Sequence, residues 1–308
     1  MRIAMMSQYY RGGREIWLDK VTERLEKRNY EFIYPDGYKV TEASKMERLK
    51  FWFKTKPPED CDIIHLHDFN LPSLRSGKPI VNTFHGSAME MYKQTGNKFT
   101  RISAFMDKWR SRYGLNVVIS RDCQRDIPNS IYVPNGTDTK LFSPNKHKDK
   151  FEFMRKEKRI NVLFTGRNVP LKGRIDMDLI KVYDSTLNFI EPNEWIEHKE
   201  MPFLYNACDV YAHCSHYDGT ALNVLEAMAC GKPVVAWNIG GLSDCIFNDV
   251  NGYLVEMGEH AQFALAILRA YKNRKRLGIN GRILCETIFN WKNVAQQYNE
   301  IYQKLGGR

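Results

Sequence analysis

The chain has 308 residues, 43% hydrophobic and 12% aromatic, with a formal net charge of +10, so it can fill two packed cores. No run approaches the roughly 20 apolar residues of a membrane span, and the start MRIAMMSQYY is too short an apolar stretch for a secretory signal. Seven cysteines without a CxxC pair argue against a disulfide framework or a zinc ribbon and for buried reduced thiols in a cytoplasmic protein.

Arg2 to Met6 reads as a first strand. The turn Gly12-Gly13 follows, then a helix near 15–28 marked by Trp17, Val21 and Leu25. Phe32-Ile33-Tyr34 is the next strand, so the start is a βαβ unit whose glycine pair lets backbone approach a ligand. It is not GxGxxG, and a dinucleotide reading is weak. Residues 61–67, CDIIHLH, form a buried strand. His67 and Asp68 at its C-terminal edge are candidate acceptor contacts, while His65 reads as structural. Residues 79–84 form another buried strand that runs into His85-Gly86, where a histidine can reach a cleft.

Two stretches, 44–56 and 98–113, mix aromatics with basic groups in helical spacing. The first carries Phe51, Trp52 and Phe53; the second carries Phe99, Ile102, Phe105 and Met106 beside Lys108, Arg110 and Arg112. Residues 1–150 hold 27 Lys/Arg against 18 Asp/Glu, a net +9, whereas the rest of the chain is near neutral. An anionic membrane surface is one candidate partner of these stretches; a solvated basic face over a buried apolar stripe, with the 44–56 aromatics in the core, is the equal alternative. Strands at 115–120 and near 132 close the first half, and the charged run 143–159, with His147, reads as a linker.

The second half opens with a strand, 161–165, and the loop Gly166 to Gly173. Arg167 and Lys172 on that loop can turn into one cleft and stabilise a diphosphate leaving group without a metal. Asp176-Met177-Asp178 falls in a helix and is not read as a metal site. Residues 213–235, HCSHYDGTALNVLEAMACGKPVV, then give a polar loop, a helix over about 221–230, a Gly231 stop and a buried strand. The helix start offers the amides of Thr220, Ala221 and Leu222 to a phosphate. Glu226 lies roughly 7 Å further along the axis, where a carboxylate suits ribose hydroxyls. Asp218 lies before the helix and suits sugar hydroxyls. After it come the turn Gly240-Gly241, a strand at 251–255, a helix at 263–271 and a last helix from Trp291.

Asp218-x7-Glu226 followed by Ala227 to Val235 resembles the acidic-x7-Glu signature of retaining glycosyltransferase family 4. Gly12-Gly13-x-Glu15, Thr83-Phe84-His85-Gly86, Pro134-Asn135-Gly136 and the Arg167 to Lys172 loop match further segments of that family in order, over nearly the whole chain. The resemblance implies an α/β GT-B fold: two facing Rossmann-like domains with a central cleft. Their expected bounds are 1–145, with 291–308 packing back on it as the acceptor side, and 146–290 for the donor.

It also implies transfer of a hexose, with retention, from a UDP-, GDP- or ADP-sugar to a hydroxyl, lipid-linked or on a glycan, with no cofactor or metal. His85, Asp218, Arg167 and Lys172 would be catalytic. Gly12, Gly13, Thr220, Ala221, Leu222 and Glu226 would join Arg167, Lys172 and Asp218 in holding donor. Between Lys172 and Tyr205 the chain is shorter than the family pattern, so the C-terminal domain is shortened where the base is often contacted. A sugar-nucleotide epimerase or phosphorylase and a non-catalytic nucleotide-sugar binder stay open. A nucleic-acid-modifying transferase ranks third among the enzyme readings, with nucleic acid a disfavoured partner. Peripheral membrane attachment is the alternative to a free cytoplasmic location.

Overall fold

The computed structural model describes residues 1–7, 13–35, 45–144, 149–166, 169–192 and 194–307. Two compact units divide the chain: Met1–Asn135 with Trp291–Arg308, and Gly136–Asn290. Each is a parallel sheet between helices, the α/β doubly wound arrangement of GT-B proteins.

The first unit contains, among the described residues, six parallel strands: β1 Arg2–Met6, β2 Glu31–Ile33, β3 Ile63–Leu66, β4 Ile80–Phe84, β5 Leu115–Val118 and β6 Ser130–Tyr132. Their order is β2-β1-β3-β4-β5-β6. Its helices are α1 Gly13–Glu26, α2 Lys45–Phe53, α3 Leu71–Leu74, α4 Ala88–Thr95, α5 Lys98–Arg110 and α6 Arg121–Asp126. β1, β3 and β4 are buried on both faces, as a helix-covered parallel sheet requires.

The second unit contains, among the described residues, β7 Ile160–Leu163, β8 Leu187–Ile190, β9 Val210–His213, β10 Val234–Trp237 and β11 Gly252–Val255, in the order β11-β10-β9-β7-β8. Its helices are α7 Arg174–Tyr183, α8 Met201–Asn206, α9 Leu222–Ala229, α10 His260–Lys272 and α11 Arg274–Thr287. The strand order reverses between β7 and β9, so the loops leaving the carboxyl ends of those strands border the crevice where such sheets bind ligands. Their described residues are 164–166 and 169–173 in the first and 214–221 in the second. The last helix, α12 Trp291–Gly306, belongs to the first unit, where it packs on α1.

The expected linker differs from what forms. Asp149–Met154 is a 3-10 helix whose Phe151 is buried in the second unit's core. Arg155 beyond it donates to the Ala207 carbonyl at 2.6 Å, so the charged run is anchored by one aromatic and one arginine. His147 lies outside the described residues. All seven cysteines are buried thiols.

Candidate active site

In the second unit, two loops are fastened together across the β7/β9 switch point. The His216 amide donates to the Leu171 carbonyl at 2.9 Å. Gly173 packs so tightly on β9's exit that a Cβ there would sit 1.8 Å from the Cys214 carbonyl oxygen, and its φ of +71° is left-handed. From the other side, the Gly241 amide donates to the Asp218 carbonyl at 3.1 Å, and a Cβ on Gly240 would fall 2.0 Å from that oxygen. The Asp218 backbone is thereby clamped.

Its side chain is held as firmly. Lys172 Nζ donates to both Asp218 oxygens, at 3.1 and 2.9 Å, and His213 Nε2 lies 3.0 Å from Oδ2. Burial alone would raise the Asp218 pKa, but the His213 hydrogen bond and the Lys172 charge outweigh it and leave the carboxyl well below the usual range. Asp218 is a carboxylate at any working pH.

Four residues on, α9 begins after Ala221, which supplies no capping side chain. Five of its eight residues are alanine, leucine or methionine, and it buries all of Val224 to Ala229. Within that buried stretch Glu226 is a charged exception. Its Oε1 takes a 2.8 Å hydrogen bond with His198 Nε2, and its Oε2 accepts from the Tyr205 hydroxyl at 2.9 Å. Burial, and then the Glu226 charge, push the Tyr205 phenol well up, so it stays a donor.

In the first unit, the strand ends carry a histidine stack. His67 follows β3 and His85 follows β4; His67 Nδ1 and His85 Nε2 share a hydrogen bond of 2.7 Å. His67 stacks on His65 at 4.3 Å and on His85 at 5.0 Å, with the Trp17 edge against all three rings. His65 is fixed by the Tyr302 hydroxyl at 2.6 Å and Thr83 Oγ1 at 2.7 Å. His85 and Asp68 are partly exposed, whereas His67 is buried. His67, expected as an acceptor contact, lies buried with its Nδ1 on His85. Arg110, read as surface charge, is corrected. It is buried, donating to the Leu66 and Thr83 carbonyls at 3.2 and 3.3 Å, and braces β3 and β4 rather than a surface.

Residues 190–283 match the family model described as Glycosyl transferases group 1. An uncharacterized glycosyltransferase of Methanocaldococcus jannaschii is 24% identical over 99% of this chain and 99% of its own length. The Escherichia coli UDP-Gal:alpha-D-GlcNAc-diphosphoundecaprenol alpha-1,3-galactosyltransferase is 26% identical over 83% of this chain and 78% of its own. A sucrose-phosphate synthase structure from Thermosynechococcus elongatus superposes with a TM-score of 0.79 at 18% identity, over 100% of this chain and 99% of that one. The chain is a GT-B glycosyltransferase.

The matched segment of the glycosyltransferase carries Asp218, Thr220, Ala221, Leu222 and Glu226, and Lys172 reaches Asp218 from outside it. Gly12 and Arg167 lie outside the described residues, and Gly13 opens α1. Sequence reasoning missed His213, His198 and Tyr205, the three residues that hold the two carboxylates. His213 and Tyr205 were visible as polar groups in otherwise apolar runs; His198 had no signal, because its pairing depends on how the 191–200 segment folds back. Asp176, set aside as a metal ligand, instead accepts from His216 Nε2 at 2.6 Å and His260 Nε2 at 2.8 Å, tying the Asp218 loop to α7 and α10.

Proposed function

We propose that this glycosyltransferase moves a hexose from a nucleoside-diphosphate sugar to a hydroxyl acceptor with retention of anomeric configuration. The observation that carries the proposal is the pair Asp218 and Glu226, one bracing the approach to α9 and one inside it, with Lys172 on the first. In this reading the diphosphate lies at the α9 start against the amides of Thr220, Ala221 and Leu222. Lys172 and Arg167 neutralise it, Glu226 takes the ribose hydroxyls, and Asp218 takes hydroxyls of the hexose. Gly12, Gly13 and His85 for the donor, and Asp68 for the acceptor, are assigned from the sequence resemblance alone.

The bond from the anomeric carbon to the diphosphate oxygen breaks, and the acceptor oxygen bonds to that carbon from the same face. The acceptor proton passes to the departing phosphate oxygen. Lys172 would turn from Asp218 to the diphosphate as negative charge grows there, which stabilises the leaving group where it is needed. No cofactor enters this scheme. The Escherichia coli relative is named for a UDP-sugar donor and a lipid diphosphate-linked acceptor, and we favour an acceptor of that kind or a glycan.

Incubation with UDP-, GDP- and ADP-hexoses and lipid-linked or glycan acceptors tests the reading. Acceptor-dependent release of nucleoside diphosphate, with a product of the donor's anomeric configuration by NMR, is expected. Epimerised donor without release, binding without turnover, or a product of inverted configuration would contradict it.

A further inference from the structure

We propose that the outer faces of α5 and α2 dock the glycosyltransferase on an anionic phospholipid surface. The inner face of α5 packs Phe99, Met106 and Trp109 against the first unit's core, and Trp52 of α2 stacks on Phe99 at 5.6 Å. Both helices therefore touch one apolar cluster, where these two rings meet. Beside that contact, Lys98, Arg101, Ile102, Phe105 and Lys108 are all exposed, as is Arg112 just past the helix end. At 100° per residue the five on the helix fall within an arc of about 120°, which also takes in half-buried Trp109. That arc contains no acidic residue; Asp107 is turned to Arg110 at 2.9 Å.

The stripe alternates cations with apolar side chains that the fold leaves in water. Phe105 is 67% exposed and Ile102 48%. α2 continues the pattern with Leu49 and Phe53, 46% and 43% exposed, beside exposed Lys50 and Lys54. Phe51 and Trp52, by contrast, are buried, so only part of the basic-aromatic stretch 44–56 is available. An acidic protein or nucleic acid would pair with the cations and leave Phe105 and Ile102 unused. A bilayer interface takes both: anionic headgroups meet the lysines and arginines while the phenyl and aliphatic groups enter the acyl boundary. The charge imbalance agrees, since the first 150 residues carry +9 of the chain's +10.

Co-sedimentation of the full chain with vesicles is the test, using phosphatidylcholine alone and phosphatidylcholine mixed equally with phosphatidylglycerol. Binding to the mixed vesicles only, weakened by salt, is expected. Lys98→Glu with Lys108→Glu should weaken it at least about tenfold. Lys272→Glu with Lys275→Glu, an equal charge change on exposed residues of the second unit, should leave it within about twofold. Phe105→Ser should weaken binding several-fold and most visibly in moderate salt, where the apolar term dominates. Should this variant lose its circular dichroism melt, the lysine pair alone decides. No binding of the native chain to anionic vesicles overturns the proposal. So does equal weakening by both lysine pairs, or retention on double-stranded DNA through Lys98 and Lys108 with no vesicle binding.

Discussion

Lys172 Nζ sits within 3.1 Å of both carboxylate oxygens of Asp218, so the cation assigned to the donor diphosphate rests on the acid assigned to the sugar. The pair is partly exposed, at 22% and 24% of the side chains, so it can open at modest cost when a stronger anion arrives. Lys172→Ala is expected to lower kcat by roughly 10²- to 10³-fold, the effect of removing one charge stabiliser from a transition state. KM for donor should move much less. Steady-state kinetics checks this, and a KM effect larger than the kcat effect would assign Lys172 to ground-state binding instead.

Asp218 stays ionised because His213 and Lys172 outweigh burial. Its folded pKa is depressed, so it remains a carboxylate until pH falls below the usual carboxylate range. Asp218→Asn should therefore reduce the rate while leaving the acid limb of the kcat/KM profile in place. A limb that disappears in the variant would show Asp218 titrating in the working range.

Glu226 has a donor on each oxygen, His198 and Tyr205. Tyr205→Phe removes one and leaves a buried carboxylate less well held. Donor affinity should fall by roughly 5- to 10-fold, the value of about 1 kcal/mol for one such hydrogen bond. kcat should hold, and titration calorimetry with donor reads the difference.

Gly173 and Gly240 fix how closely the loops approach Asp218. Gly173→Ala would drive a Cβ into the Cys214 carbonyl at a left-handed φ. A loss of at least about 2 kcal/mol is expected, visible as a lowered urea midpoint, because backbone rather than a flexible side chain must move. A neutral alanine would mean the loops are not fastened as described.

Burial, helped by the Arg110 charge, pushes the His65 pKa down to about 3 from 6.5. The folded chain thus binds fewer protons than the unfolded chain between those values. Stability from neutral His65 is complete above the unfolded pKa and declines as pH falls toward 3, by up to about 1.4 kcal/mol per pH unit. Urea midpoints from pH 7 to 4 should show that slope, and His65→Gln should reduce it. An unaltered slope in His65→Gln would contradict the assignment.

Much of the fold was legible because the strands are unbroken apolar runs and the turns carry Gly, Pro and Asn. α11 was not legible: RKRLGINGRILCET holds two glycines and four arginines or lysines, and two of its four buried positions, Gly278 and Gly281, are glycines. Arg110 read as surface charge for a similar reason, since periodicity cannot show a guanidinium bonded to two strand carbonyls. Within the candidate site, the two acids were readable from their spacing along one segment, and the lysine from a separate loop between two glycines. Their supports were not, because His198 to Glu226 and Lys172 to Asp218 are pairings across 28 and 46 residues.

Titration calorimetry of UDP-, GDP- and ADP-hexoses into the native chain and Glu226→Ala addresses the central claim most directly. The native chain should bind one of these donors, and Glu226→Ala should bind it roughly 10- to 100-fold more weakly, the worth of hydrogen bonds to one charged group. A correctly folded Glu226→Ala that binds the donor as tightly as the native chain would contradict the account.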